Sequence, residues 1–403
     1  MCIRDRLDTV RADVLGGTLG GKSISPFFER LRSEGVSFDR ALTTFHSTSA
    51  SHMSLFTATY PGVHRVTFPT ETLSQRVGTL PERLADAGYV TGAVTENAML
   101  VASSGFARGF ARYRENRNTL QGAGGIEETF AAGAQWIEEE RDSLFFLFLH
   151  TYEAHRPYAP DADLLADMPA LAESPANWRA YAAEVRAIDR ALEGLWQLLE
   201  RLDLLDETMV IITSDHGEEF GEHGASGHGR TLFDEAVRIP LLFWSPQRLP
   251  RGRSLDDVVS LVDVAPTILE IAGLPPALST QGRSLLDAMR GDPLQGHPVR
   301  FAEGQVDEMR MVMARTPDRK WIWREDREEL EVYDLREDPG ERQPTFEGPE
   351  EASTGRALID GYLALRPAPR GRTGEDETGE NNSDETSLSP DVREKLEALG
   401  YVQ

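Results

Sequence analysis

The chain lacks several things, and each absence removes a class of explanation. Its single cysteine is Cys2, so an intramolecular disulfide is excluded. It has no apolar run of the ~18 residues that a membrane-spanning helix needs, so no integral membrane segment is expected. Positive charge is scarce, with 42 Lys and Arg against 67 Asp and Glu, a net charge of −25. Such a chain meets phosphate backbones against its own field, which argues against nucleic acid as a partner. The opening Met1-Cys2-Ile3-Arg4-Asp5-Arg6 has no apolar core of the kind a signal peptide carries. No internal repeat is present. What remains is ordinary globular composition over 403 residues, 40% hydrophobic and 27% charged, ample for a sizeable core.

Apolar strands alternate with amphipathic helices through the first three hundred residues. Ser25-Pro26 opens a helix that closes at Gly35. Tyr89 to Val94, Leu144 to Leu149, Met209 to Thr213 and Pro240 to Trp244 read as buried strands, and Val36 to Phe38 as extended. Pro81 to Ala87, Glu127 to Glu140, Ala180 to Leu202 and Asp263 to Ala272 read as helices. Apolar strands separated by helices predict an α/β fold, a mainly parallel sheet with helices on both faces. After about Phe301 short strands with turns predict a small C-terminal antiparallel subdomain. The expected divisions are a catalytic α/β domain over 1–300, the subdomain over 301–365, an acidic linker over 366–388, and a helix and tail over 389–403.

The chemistry concentrates at predicted strand ends. Asp215 and His216 follow the apolar run Met209 to Ile212, which places an oxygen and a nitrogen ligand side by side at the edge where open α/β sheets keep their ligands. A carboxylate beside an imidazole suits a divalent metal. Asp8 reads either as a helix N-cap or as a further ligand. In Thr48-Ser49-Ala50-Ser51-His52-Met53 a hydroxyl stands where a helix begins. The free N–H groups there favour an anion, although an isolated Thr-Ser cluster reads equally as a cap. His150-Thr151-Tyr152-Glu153-Ala154-His155-Arg156-Pro157-Tyr158 follows the Leu144 to Leu149 strand, and Gly-rich loops carry His223 and His228. A Glu and a His two apart at residues 153 and 155 also suit a second metal. His46 reads as a neighbour of the Thr48 turn, His64 as structural.

In this order the segments resemble the sulfatase-like family of the alkaline phosphatase superfamily. Asp8-Thr9-Val10-Arg11-Ala12-Asp13, the Thr48 turn, Ser214-Asp215-His216-Gly217-Glu218, Asp263-Val264-Ala265-Pro266-Thr267 and Tyr333-Asp334-Leu335-Arg336 carry the likeness. It implies one divalent cation held by Asp8, Asp215 and His216, with Thr48 completing the shell. Family habit favours Ca²⁺; Mg²⁺, Mn²⁺ or Zn²⁺ also suit the ligands. It implies Thr48 as nucleophile, His155 and His228 as catalytic groups, and His52, His223 and Glu153 as substrate contacts. Here Ala50 replaces the family's proline and His52 its arginine. Threonine cannot become formylglycine, so none is expected. The implied activity is hydrolysis of sulfate esters of a small molecule, glycan or lipid, in the periplasm or outside the cell.

Alternatives on the same scaffold are a phosphodiesterase, or a phosphoglycerol or phosphoethanolamine transferase. Others are phosphoglycerate-mutase-like or phosphomonoesterase chemistry with two metals, the second needing Glu153, His155 and His223, and an inactive binding relative. The fold needs a buried strand before Asp8. Met1 to Arg6 is not strand-like, so that strand is expected to be truncated or replaced.

Overall fold

The computed structural model describes residues 2–96, 99–116, 125–172, 174–275, 280–294, 299–307, 309–345 and 349–365. Among them, nine strands form one sheet. Its order is Arg238–Ile239, Val36–Leu42, Leu241–Trp244, Met209–Ser214, Cys2–Leu7, Phe145–Thr151, Val90–Glu96 and Arg112–Asn116, with Arg253–Ser260 also pairing with Val36–Leu42. The five strands from Met209–Ser214 to Arg112–Asn116 run parallel. Leu241–Trp244 runs antiparallel to both its neighbours.

The uniformly apolar strands are explained by burial on both faces. Phe145, Leu147 and Leu149 join one core cluster with Val210 and Ile212, while Phe146 and Phe148 join the other with Met209 and Ile211. The helices Pro26–Glu34, Ile126–Glu140 and Trp178–Arg201 contribute to the first cluster, and Thr48–Thr57 and Val264–Ile271 to the second. This is the α/β architecture the sequence predicts.

The expectation for the first strand needs correction. Cys2–Leu7 is a strand, and it lies in the middle of the sheet, with Leu7 opposite Thr151 on one side and Ser214 on the other. Its sequence shows no strand periodicity; the backbone ladders of two apolar neighbours set its conformation instead. A strand therefore does lead directly into Asp8.

After residue 299 the chain forms an antiparallel meander of Arg300–Val306, Met309–Arg315, Arg319–Arg324 and Glu329–Asp334, with helix Pro349–Leu363 packed on it. It docks on the larger domain through a bridge from Phe45 to Glu303 and through buried Lys320, which pairs with Asp234 at 3.0 Å across the junction and with Glu341 at 2.5 Å on its own side. The linker and terminal helix expected over 366–403 lie outside the described residues.

Candidate active site

Four segments deliver polar side chains to the carboxyl edge of the parallel strands. Cys2–Leu7 ends in Asp8, Met209–Ser214 ends in Asp215 and His216, and Phe145–Thr151 carries His150 next to its last residue. The Thr48–Thr57 helix presents its first residue to the same place, and all ten of its residues are buried. Asp8, Thr48, His52, His150, Asp215 and His216 are each 0% exposed.

The Thr48 hydroxyl donates to Asp8 Oδ2 at 3.2 Å and lies 3.4 Å from His216 Nε2. Asp215 Oδ2 is 3.5 Å from the same His216 nitrogen. His216 donates from Nδ1 to the Gly217 carbonyl at 2.9 Å, so Nε2 keeps its lone pair for the cluster. Ser47, at the N-cap position, makes no side-chain cap hydrogen bond. The Thr48 hydroxyl faces ligands, and the N-cap reading of this turn is set aside.

The backbone around the cluster is under constraint. Thr9 sits at φ +56°, unusual for a β-branched residue. It is held there by its N–H to Asp215 Oδ1 (3.2 Å), its hydroxyl to the Ala154 carbonyl (2.8 Å) and the Tyr181 hydroxyl donating to its own carbonyl (2.8 Å). Such strain persists where surrounding structure over-determines it, often at functional sites. Gly217 is required for close approach, because a Cβ there would lie 1.9 Å from the Glu235 carbonyl oxygen.

The electrostatics favour a positive charge at this cluster. Burial, and then the adjacent Asp215, push the Asp8 carboxyl well above its ordinary range, despite opposing help from His216 and Thr48. Burial opposes protonation of His216, yet Asp215 and Asp8 raise its pKa. Asp8 Oδ1 is buried without a hydrogen-bond partner. A buried carboxylate oxygen facing a second carboxylate is costly until a cation engages both. Asp8, Asp215 and His216 offer ligand atoms within 4.8 Å of one another, as do His52, His150 and Asp215. The donor set therefore fits a divalent cation.

A second layer lies beside the first. The His228 ring centroid is 4.6 Å from that of His216 and 4.9 Å from that of His155. His155 donates from Nδ1 to the Arg156 carbonyl at 2.6 Å and stacks on Tyr152 at 4.0 Å. Burial, and then His228, push His155 down to about 3. His228 is driven well below its ordinary value by burial and then His216. Its Nδ1 is 3.4 Å from Glu218 Oε2, and burial pushes that carboxyl up to about 7.

Of the residues singled out from sequence, the structure gathers Asp8, Thr48, His52, Asp215 and His216, with His155 and His228 alongside. It does not bring His223 there. Both ring nitrogens of His223 are engaged, by Glu235 Oε1 at 2.5 Å and the Glu341 carbonyl at 3.0 Å, and the ring stacks on Phe233. Glu153 belongs to neither ligand group; burial and then Glu96 raise its carboxyl to about 7. A second metal on Glu153, His155 and His223 is therefore not assembled. His46 accepts from the Gln305 N–H at 2.8 Å and supports the meander, and His64 bonds Ser54 and the Val66 N–H, a structural role. Arg11 pairs with Asp13 and also with Glu222. The sequence reading gave no role to His150, whose Nε2 is 3.3 Å from Asp8 Oδ2, or to Glu218. The available signal for His150 was the one used for Asp215, a polar residue at the end of an apolar strand.

Comparison with known proteins agrees with this geometry. The sulfatase family model matches residues 7–274, and one for the C-terminal part of N-sulphoglucosamine sulphohydrolase matches residues 221–366. An N-acetylglucosamine-6-O-sulfatase of Bacteroides thetaiotaomicron is 32% identical over 45% of this chain and 34% of its own length. An N-acetylgalactosamine-6-sulfatase of Canis lupus familiaris is 30% identical over 46% of this chain and 36% of its own. The alignments thus span about a third of the length of these curated relatives. A solved structure in complex with its substrate D-glucosamine-2-N,6-O-disulfate superposes with a TM-score of 0.78 at 19% identity, covering 90% of this chain and 96% of that one. The phosphonate monoester hydrolase of Agrobacterium radiobacter superposes with a TM-score of 0.75 at 18% identity, covering 91% and 95%. These likenesses establish the fold. The family match runs through well over half of the chain, which belongs to the sulfatase family.

Proposed function

We propose that the protein is a cation-dependent hydrolase of sulfate esters in which Thr48 supplies the nucleophilic oxygen. The observation that carries this reading is the Thr48 hydroxyl within 3.4 Å of both Asp8 and His216, at the first turn of a buried helix. Asp8, Asp215 and His216 would hold the cation, and Thr48 Oγ1 stands within reach of the same group. A divalent cation there supplies charge against the sulfuryl oxygens and lowers the hydroxyl pKa. Its identity is one of Ca²⁺, Mg²⁺, Mn²⁺ or Zn²⁺.

Asp8 Oδ2 accepts the Thr48 proton along the existing hydrogen bond. Thr48 Oγ1 attacks sulfur in line, forming an O–S bond as the bond to the leaving oxygen breaks. The helix N-terminus faces the equatorial oxygens. His155 and His228 rest neutral; an anionic ester beside them favours their protonated forms, which lets one of them donate to the leaving oxygen. The histidine left neutral then takes a proton from water, whose oxygen attacks sulfur; the Thr48 Oγ1–S bond breaks, sulfate leaves, and Thr48 takes back the proton held on Asp8.

Relatives named for 6-sulfated amino sugars make sulfated glycans the first substrate class to assay. Family habit places such an enzyme in the periplasm or outside the cell; among the described residues no helix is long and apolar enough to cross a membrane. The test is turnover of aryl sulfate, aryl phosphate and phosphodiester by the wild type, Thr48→Ala and Asp215→Ala. Sulfate-ester turnover lost in both variants is expected. Turnover retained in Thr48→Ala removes the nucleophile, and preference for phosphodiester moves the activity to the phosphodiesterase branch.

A further inference from the structure

We propose that His46 is a hydrogen-bond donor to the substrate, its Nδ1–H directed at a non-bridging oxygen of the ester, and that the C-terminal meander completes the active site by holding this ring. This rests on the reading that Thr48 attacks a sulfate ester.

The tautomer follows from one hydrogen bond. His46 Nε2 accepts the Gln305 backbone N–H at 2.8 Å. A ring nitrogen that accepts carries a lone pair, so the proton of the neutral imidazole stands on Nδ1. Burial, with smaller contributions from the His216 and His228 rings, pushes His46 down to about 3 and keeps it neutral. The bond that joins the meander to His46 therefore decides which nitrogen can donate.

That donor has no acceptor in the protein. Nδ1 is buried, and among the described residues it has no hydrogen-bond partner. The whole residue is 2% exposed. Native structures keep few such groups, and those they keep call for an explanation. The Ser47 hydroxyl, next in the chain, is buried and unpartnered as well. Two unmet polar groups thus stand on the two residues that precede the nucleophile.

The neighbours of the ring show where each edge faces. A Cβ at Gly229 would lie 3.6 Å from Nδ1, so this edge faces the loop that carries His228. The His228 ring centroid is 4.6 Å from that of His216, whose Nε2 is 3.4 Å from the Thr48 hydroxyl. The other edge faces the meander, where a Cβ at Gly304 would lie 2.5 Å from Nε2. Only glycine lets the strand Arg300–Val306 approach the ring so closely. An anionic ester seated at Thr48 supplies the acceptor that the protein withholds. A donor fixed in advance stabilises the charged sulfuryl oxygens without reorganising as the reaction proceeds.

Amide side chains separate the two nitrogens. The amide nitrogen of Asn falls where Nδ1 stands, and the amide of Gln falls where Nε2 stands. His46→Asn therefore keeps the donor and loses the Gln305 bond. His46→Gln keeps that bond through its carbonyl oxygen and loses the donor. Turnover of aryl sulfate by the cation-loaded full chain is measured beside the melting temperature. His46→Gln is expected to lose about 10²-fold in kcat, the scale of one oxyanion donor, while melting closer to wild type. His46→Asn is expected to melt lower and yet to turn over faster than His46→Gln. A Gln variant as active as the Asn variant, or more active, overturns the donor role, since a ring that only braced the meander would make activity follow stability. Wild type that turns over neither aryl sulfate, aryl phosphate nor phosphodiester overturns the Thr48 reading, and the donor role with it. If the variants do not fold, a crystal structure of loaded wild type with orthovanadate decides. A vanadate oxygen within about 3.2 Å of His46 Nδ1 is expected. Vanadate seated at Thr48 with no oxygen near Nδ1, or no vanadate there, overturns the proposal.

Discussion

Replacing Asp215 by Asn separates the two things this carboxylate does. Asn is isosteric, and its side-chain oxygen can still accept from the Thr9 and His216 N–H groups, at 3.2 and 2.9 Å in the wild type. What disappears is the charge. Asp8 and Asp215 present ligand atoms within 4.8 Å of each other in a fully buried pocket. Two unit charges at that distance repel by roughly 3–4 kcal/mol at an effective dielectric of ~20. Asp8 relieves part of this by binding a proton, which leaves ~1–3 kcal/mol for the substitution to recover. Chelator-treated Asp215→Asn is therefore expected to melt above chelator-treated wild type, by about 1–4 °C. The sign reverses with cation present. Wild type gains ~2.7 kcal/mol per site at a hundredfold excess over Kd, and the variant gains far less. The pH dependence follows from Asp8, whose pKa is raised on folding. Its contribution is present below the unfolded value of about 4 and is lost as pH rises through the folded one, so chelated wild type weakens toward neutral pH more steeply than the variant. Differential scanning calorimetry with and without cation reads all three effects. A chelated variant that melts below wild type, or one that keeps the full cation-induced shift, refutes the reasoning.

Lys320→Met leaves Glu341 as a buried carboxylate without its ammonium and takes from Asp234 one of its two cations, and is expected to cost ~3–5 kcal/mol in urea unfolding. A change under 1 kcal/mol would show that the meander does not rely on this junction. Asp234 is held far below the usual carboxylate range by Arg315 and Lys320, against the burial that opposes them. That stabilisation is present above an unfolded pKa of about 4 and is lost as pH falls toward the folded value, so Asp234→Asn should flatten the acid limb of the stability curve. Gly217→Ala drives a Cβ into the Glu235 carbonyl. It should displace His216, cost ~1–3 kcal/mol, and weaken cation binding measured by calorimetric titration; unchanged binding would remove the close-approach argument.

Much of the fold was legible because burial leaves a pattern. Phe145 to Leu149 and Met209 to Ile212 are apolar at every position since both faces of their strands are covered. The helices Pro26–Glu34, Ile126–Glu140 and Trp178–Arg201 were visible from their periodicity and, for the first, its N1 proline. Cys2–Leu7 left no such trace, because its neighbours' ladders, and not its own residue types, made it a strand.

For the site, the sequence by itself determined which donor types stand at which strand ends, because a carboxylate or imidazole closing an apolar run has few other uses. It marked Asp215 and His216 in this way, and the resemblance to the sulfatase-like family added Asp8 and Thr48 to the same cluster. Only the tertiary structure decided which histidines share that cluster. His150 and His52 enter it because a strand and a helix converge there. His223 leaves it because Glu235 and the Glu341 carbonyl, distant in the chain, take both its nitrogens. A residue's type is written locally, but its partner is set by which backbone segments the core brings together.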